Sequence, residues 1–224
     1  MPNANPTPNR IVSLSEQAFF TIVSSALEAF QINHNAQSNK KHIPLETYGN
    51  LWGHAAQNSR KESILHVSLV DVETSAERSP VSVQAANGSF ELKQQFVERF
   101  HHEIEYLGDF HSHPYDPEND KVKNALKVER KKFYEFSPAD YEAARVLCEE
   151  RGYQLGLVVT VFRSDTPVKR KSKHVGLSCI RFSYNDFTIW LKCHVFEGGR
   201  AVQHRKVALI CPSLGFHIGV VKSD

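Results

Sequence analysis

The sequence predicts one α/β domain, a mixed β-sheet flanked by about three helices. Three observations predict it. Apolar residues recur at strand and helix periods in alternating segments along the chain. Leu155-Gly-Leu-Val-Val-Thr-Val-Phe162 is nearly continuous in apolar residues, the pattern of a strand buried on both faces. With 224 residues, 41% of them hydrophobic, the chain can bury one sizeable core, and no composition shift marks a second domain. The expected organisation is a flexible tail over residues 1–10, which is polar and holds three prolines, followed by a domain over 11–224.

Arg10-Ile-Val-Ser-Leu14 reads as a short strand. Ser15 then caps a helix whose apolar face holds Phe19, Phe20, Ile22, Val23, Ala26, Leu27 and Phe30. Residues 31–44 are polar and Asn-rich, a loop. Tyr48–Gln57 and Ser63–Thr74 read as strands, the second carrying Ile64, Leu65, Val67, Leu69, Val70 and Val72. Residues 75–90, with Pro80 and Asn87-Gly88, read as a loop. Leu92, Phe96, Val97 and Phe100 stand at helical spacing, so 91–102 is expected to be a helix turned towards the core. After the central strand at 155–162, residues 163–175 hold Lys169, Arg170, Lys171 and Lys173 and read as a solvated hairpin loop. Strands are expected at about 176–184, 187–196 and 206–220.

The formal charge of +2 is too small to argue for nucleic acid. Cys148, Cys179, Cys193 and Cys211 have no Cys-x-x-Cys spacing and read as reduced, buried side chains, none of them a nucleophile. No apolar run nears the roughly 20 residues that span a bilayer. Met1–Arg10 lacks the basic segment and apolar region of a secretory signal. A soluble cytoplasmic protein with no membrane partner is the expectation.

The chemistry is concentrated in Gly108-Asp-Phe-His-Ser-His-Pro114. In a strand, His111 and His113 project from one face at i and i+2 and can converge on a metal. Pro114 is expected to end that strand. Downstream, Ser137-Pro138-Ala139-Asp140 opens a helix. Ser137 as N-cap, Pro138 at N1 and Asp140 at N3 make a sound helix start without any function. Alternatively, Asp140 supplies a third ligand, and two His with one Asp leave a fourth zinc position for water.

A hydrolytic site also needs a base, and Leu45-Glu46-Thr47-Tyr48-Gly49-Asn50-Leu51-Trp52-Gly53 offers Glu46. The ordered set of Glu46, His111-Ser-His113-Pro and Ser137-x-x-Asp140 resembles the JAMM motif of the JAB/MPN metalloprotease family, over roughly residues 11–165. The resemblance implies a compact JAB/MPN-like α/β domain in which His111, His113 and Asp140 hold one Zn²⁺ per chain. It implies that Glu46 takes a proton from metal-bound water and passes it to the leaving amine, and that Ser137 steadies the tetrahedral oxyanion. The implied activity is deubiquitinase-like: cleaving a ubiquitin-like modifier from a conjugate or processing its C-terminus, with proteins of a conjugation system as further partners. Asp109 lies on the His111 face with its role open.

Two departures from the family pattern stand out. Residues 115–136 replace a short spacer and are highly charged, reading equally as a lid or substrate grip and as a solvated excursion. Asp116-x-Glu118-x-Asp120 faintly resembles a calcium loop, but Lys121 and Lys127 stand where Gly and Glu belong, which argues against calcium. Tyr48 stands where the family has a glycine, and its bulk beside the base is expected to reshape the groove. Of the other histidines, His101 and His102 end a helix, and His194, His204 and His217 read as ordinary packing or surface residues. Two rival functions are a non-catalytic interaction scaffold and a DNA-repair-associated protein with the same metal motif. The complete ligand set argues against the first and the modest charge against the second.

Overall fold

A computed structural model of the chain describes residues 8–32, 43–59, 61–79, 83–84, 86–117, 122–165, 167–168 and 171–217. Residues 1–7 of the expected tail, 33–42 of the Asn-rich loop, most of the calcium-like segment, Lys169 and Arg170 and residues 218–220 of the last expected strand lie outside them.

The chain begins with β1 (Arg10–Leu14) and α1 (Glu16–Gln31). Ser15 caps α1, its hydroxyl oxygen accepting the Ala18 N–H at 3.0 Å. Ile22, Ala26, Ala29 and Phe30 bury one face of α1, whereas Phe20, expected on that face, is 70% exposed. The strands β2 (Tyr48–Gln57) and β3 (Ser63–Val72) follow, and the expected loop at 75–90 contains a two-stranded ladder of β4 (Glu77–Arg78) and β5 (Val83–Gln84). After α2 (Ser89–Phe100) come β6 (Glu105–Tyr115), α3 (Ala125–Lys131), α4 (Pro138–Arg151) and β7 (Tyr153–Arg163). The chain continues through β8 (Lys173–Gly176), β9 (Cys179–Tyr184), β10 (Phe187–Glu197), β11 (Arg200–Ala201) and β12 (Val207–Ile210).

The main sheet has the order β12-β1-β3-β2-β6-β7-β10-β9-β8, with β11 paired to β10. It is mixed: β1 is parallel to β12 and β3, β6 is parallel to β7, and the remaining ladders are antiparallel. The apolar run at 155–162 sits in β7, between β6 and β10. Leu155, Leu157, Val159 and Val161 pack on the α1 side, and Val158 and Phe162 on the other. This alternation gives the strand two buried faces.

The histidine-bearing strand β6 does not end at Pro114, which pairs in register with Val161. The Ser112 N–H points to Thr47 O, so position 114, two residues on, faces the same side. By then β2, which begins opposite His111, has ended, and the missing proline N–H costs no ladder bond.

The described helices number four rather than three, because the charged insertion builds α3. Asn124 caps it, accepting the Lys127 N–H at 2.9 Å. Val122, Val128 and Tyr134 are buried against Phe162, Cys179 and Trp190 of the sheet. Arg181 donates to Glu129 Oε1 at 2.6 Å, both side chains being largely buried. Residues 122–135 are therefore packed on the sheet, not a solvated excursion.

Three further expectations change. The stripe Leu92, Phe96 and Phe100 of α2 faces outward, at 69%, 58% and 60% exposure, and only Val97 is buried. α2 is held to the sheet by Val97 and by Phe90 of its own first turn, whose ring packs with Trp52 and Tyr106, with Arg151 over Phe90 and Tyr106. Residues 163–175 are not a hairpin loop, since β7 pairs with β6 and β10 while β8 lies at the sheet edge. Among the described residues the last expected strand is limited to Val207–Ile210, stopped by a 3₁₀ turn at Pro212–Leu214. Among the described residues no helix is long and apolar enough to cross a membrane.

The Arg181–Glu129 pair gives a direct test of the packed insertion. Arg181→Ala strands a largely buried carboxylate and is expected to cost about 3 kcal/mol in denaturant unfolding, with faster amide exchange confined first to 122–135. Unchanged stability and exchange would return the insertion to a solvated excursion.

Candidate metal centre

β6 brings the two histidines to one point because alternate side chains of a strand share a face. Their Nε2 atoms lie 3.1 Å apart. Asp140 Oδ2, from the first turn of α4, lies 3.5 Å from His111 Nε2 and 3.9 Å from His113 Nε2. Tetrahedral zinc with bonds of about 2.0–2.1 Å spaces its ligands about 3.3 Å apart. The three atoms match that span.

The donor chemistry fits zinc as well. His113 Nδ1 faces the Phe133 carbonyl at 3.2 Å; an oxygen there can only accept, so Nδ1 carries the proton and Nε2 keeps its lone pair for a metal. The carbonyl comes from the insertion, which thereby holds the tautomer of a candidate ligand. Asp140 is oriented by its own helix start. Its Oδ2 accepts the Ser137 N–H at 2.7 Å, and its N–H donates to Ser137 Oγ at 3.2 Å, a complete capping box. The capping and ligand readings of Ser137-x-x-Asp140 are thus one geometry. Capping uses a lone pair of Ser137 Oγ and leaves its proton able to donate.

Glu46 reaches the site through a clamp between β2's entry and β6. The Thr47 N–H donates to Ser112 Oγ, and the Ser112 N–H to Thr47 O, each at 2.9 Å. Ser112 points to the side of β6 opposite the histidines and is buried. Glu46 itself is 8% exposed. Burial raises its carboxyl to about 7, partly offset by His111 and reinforced by Asp140, so it shares the field of the proposed ligands.

The other ionisations follow from the same crowding. Burial disfavours the His111 imidazolium, but the facing carboxylate of Asp140, with the charges of Asp109 and Glu46, outweighs it and raises its pKa. His113 is lowered to about 4 by burial and by His111. For Asp140, burial is outweighed by His111 and Ser137, which hold the carboxyl well below the usual carboxylate range. Asp109 accepts from Gln154 Nε2 at 2.6 Å and is raised to about 6 by burial. Its charge favours the protonated form of His111. Tyr48, in register with His111, is a largely buried neighbour of Asp109 and Tyr106, and burial pushes its phenol up.

All five candidates, Glu46, His111, His113, Ser137 and Asp140, therefore gather at one end of β6. Sequence reasoning missed Ser112, the Phe133 carbonyl and Gln154. Ser112 had a usable signal: a small polar residue on the core-facing side of a strand needs a buried partner. It also set aside His194 and His204, which meet Glu135 in a second cluster.

No protein-family profile matches the chain, and no characterised protein matches it in sequence. Its structure is similar to the solution structure of protein DSY2949 from Desulfitobacterium hafniense, at 15% identity over 88% of this chain and 92% of that one, with a TM-score of 0.41. Overlap of that degree carries no argument about function.

Glu46 imposes a pH dependence on the metal-free protein. Its folded pKa of about 7 lies above the ordinary 4.5, so the folded state binds more protons between those values and stability falls as pH rises through the window. Glu46→Gln removes this term. In EDTA, the variant and wild type are expected to match near pH 4, and the variant to be the more stable at pH 8 by urea denaturation. A difference that does not change with pH would place Glu46 in solvent.

Proposed function

We propose that the chain is a zinc-dependent peptidase or isopeptidase of the JAB/MPN type. Its substrate would be a ubiquitin-like modifier, released from a conjugate or trimmed at its C-terminus. The observation that carries this reading is the convergence of His111 Nε2, His113 Nε2 and Asp140 Oδ2 within zinc's span, beside a buried Glu46 whose carboxyl is raised to about 7. The resemblance of the motif supplies the substrate class.

His111, His113 and Asp140 would hold the ion. When bound, zinc polarises a carbonyl and lowers the pKa of water. The rest belongs to the protein's own groups. Glu46, buried and with a pKa near neutrality, is suited to take the proton of the attacking water and return it to the leaving amine. Its burial keeps it from resting as a strongly solvated carboxylate. Ser137 Oγ, placed at the α4 N-terminus by the cap, offers its proton to the oxygen that gains charge. The Phe133 carbonyl orients His113, and the Ser112–Thr47 clamp keeps Glu46 in register with β6.

The test uses zinc-loaded protein and a panel of ubiquitin-like proteins carrying C-terminal peptide extensions. Glu46→Gln should retain zinc and lose cleavage by about 10²-fold or more, whereas Asp140→Asn and His113→Ala should lose zinc affinity together with cleavage. Wild-type cleavage by Glu46→Gln would remove Glu46 as the base. Failure of wild type to cleave any member while holding zinc would overturn the assigned substrate class.

A further inference from the structure

Behind His111 the ring of Phe136 is stacked at 5.5 Å, and the same ring stacks on His194 at 4.2 Å, centroid to centroid. Beyond that ring lies a second group of metal-ligating side chains: Glu135 at the end of the insertion, His194 on β10, and His204 in the 3₁₀ turn leading to β12. Glu135 Oε2 lies 3.5 Å from His194 Nε2 and 3.6 Å from His204 Nε2. Both spacings fall within the range of the first cluster and near the roughly 3.3 Å of tetrahedral zinc ligands.

Two of the converging atoms are also unsatisfied. His194 is 2% exposed. Among the described residues, neither its Nε2 nor Glu135 Oε2 has a hydrogen-bond partner. At 3.5 Å they are too far apart to satisfy each other. A buried imidazole nitrogen and a buried carboxylate oxygen left facing one point need a shared partner. The other edges of the three groups are engaged. His194 Nδ1 lies 3.4 Å from the Tyr141 hydroxyl. Glu135 Oε1 lies 3.4 Å from Lys192 Nζ, which also donates to Ser178 Oγ at 2.8 Å. His204 Nδ1 lies 3.1 Å from the same Lys192 Nζ.

We propose that Glu135, His194 and His204 form a second divalent-cation site, suited to zinc, in which His194 Nε2, His204 Nε2 and Glu135 Oε2 are the ligands and water completes the shell. Two imidazoles and a carboxylate are a zinc donor set. Binding at both Nε2 atoms places the ring protons on Nδ1. For His194 that proton is given to the Tyr141 oxygen. For His204 the Nδ1 proton would face the Lys192 ammonium at 3.1 Å, so loading requires that contact to open, Lys192 keeping Ser178 Oγ and Glu135 Oε1 as partners. The ion's work is structural: it ties the end of the insertion to β10 and to the β12 approach. Phe136, next to Glu135 and pressed against Gly156, is thereby held in place behind His111. A Cβ on Gly156 would sit 2.2 Å from Phe136 Cζ, so the ring already rests on bare backbone.

The experiment is zinc stoichiometry of the full chain after reconstitution and desalting, with cobalt substitution as a spectroscopic check, on wild type, His113→Ala, His204→Ala and the double variant. His204 is about half exposed, so its replacement spares the core. The expected result is two zinc per wild-type chain, one in each single variant and none in the double, with His204→Ala lowering Tm in zinc but not in EDTA. One zinc in wild type, lost in His113→Ala and kept in His204→Ala, would overturn the second site and leave the catalytic reading intact. One zinc kept in His113→Ala and lost in His204→Ala would support the second site and overturn the first.

Discussion

The arrangement of this protein depends on a close approach of backbones at Gly108. Leu51 of β2 pairs with Gly108 and Trp52 with Tyr106, so β6 carries one extra residue, Leu107. A Cβ at Gly108 would lie 1.8 Å from Leu155 O, which restricts the position to glycine. The bulge resets the alternation of β6. Leu107 and Phe110, three apart, both enter the core beneath α1, while Tyr106 joins the Trp52 and Phe90 rings. Asp109, His111 and His113 follow on the α4 side, where Gln154, Asp140 and Phe133 meet them. Without the extra residue the histidines would point into the α1 core.

Around the centre, the same groups serve structure and the proposed chemistry. Asp140 closes its own helix cap with the oxygen that faces both histidines, so the electrostatic gain of an acid at a helix N-terminus and the placement of a ligand come together. The insertion acts likewise. Buried by Val122, Val128 and Tyr134 and pinned by Arg181, it delivers the Phe133 carbonyl to His113 and Glu135 to His194 and His204. The segment between the two histidines and Asp140 is thus a supporting layer.

Much of the fold was legible because its signals are local. The Ser15 cap and apolar spacing marked α1, turn residues bounded β2, and uninterrupted apolar character placed β7 near the centre. The outward stripe of α2 was not legible, since Leu92, Phe96 and Phe100 have the same period whether a helix faces a core or solvent; the contacts that seat α2 are instead Val97 and Phe90, the latter packed with Trp52 and Tyr106. The charge of the insertion concealed its packing for a similar reason. Its few apolar residues suffice because they fall where Phe162 and Trp190 await them.

By itself, the sequence determined the pieces whose geometry is set within a few residues: two imidazoles at i and i+2 of a strand, and a carboxylate at N3 of a capped helix. These follow from backbone period and capping, which neighbouring residues settle. Only the tertiary structure decided that Thr47, 65 residues before Ser112, would clamp to it and carry Glu46 to the same end of the sheet. It likewise decided that a carbonyl from the insertion would select the His113 tautomer, and that Glu135, His194 and His204 would converge behind Phe136. Such meetings depend on strand order and register, which arise from packing distant segments against one another and leave no periodic trace in the chain.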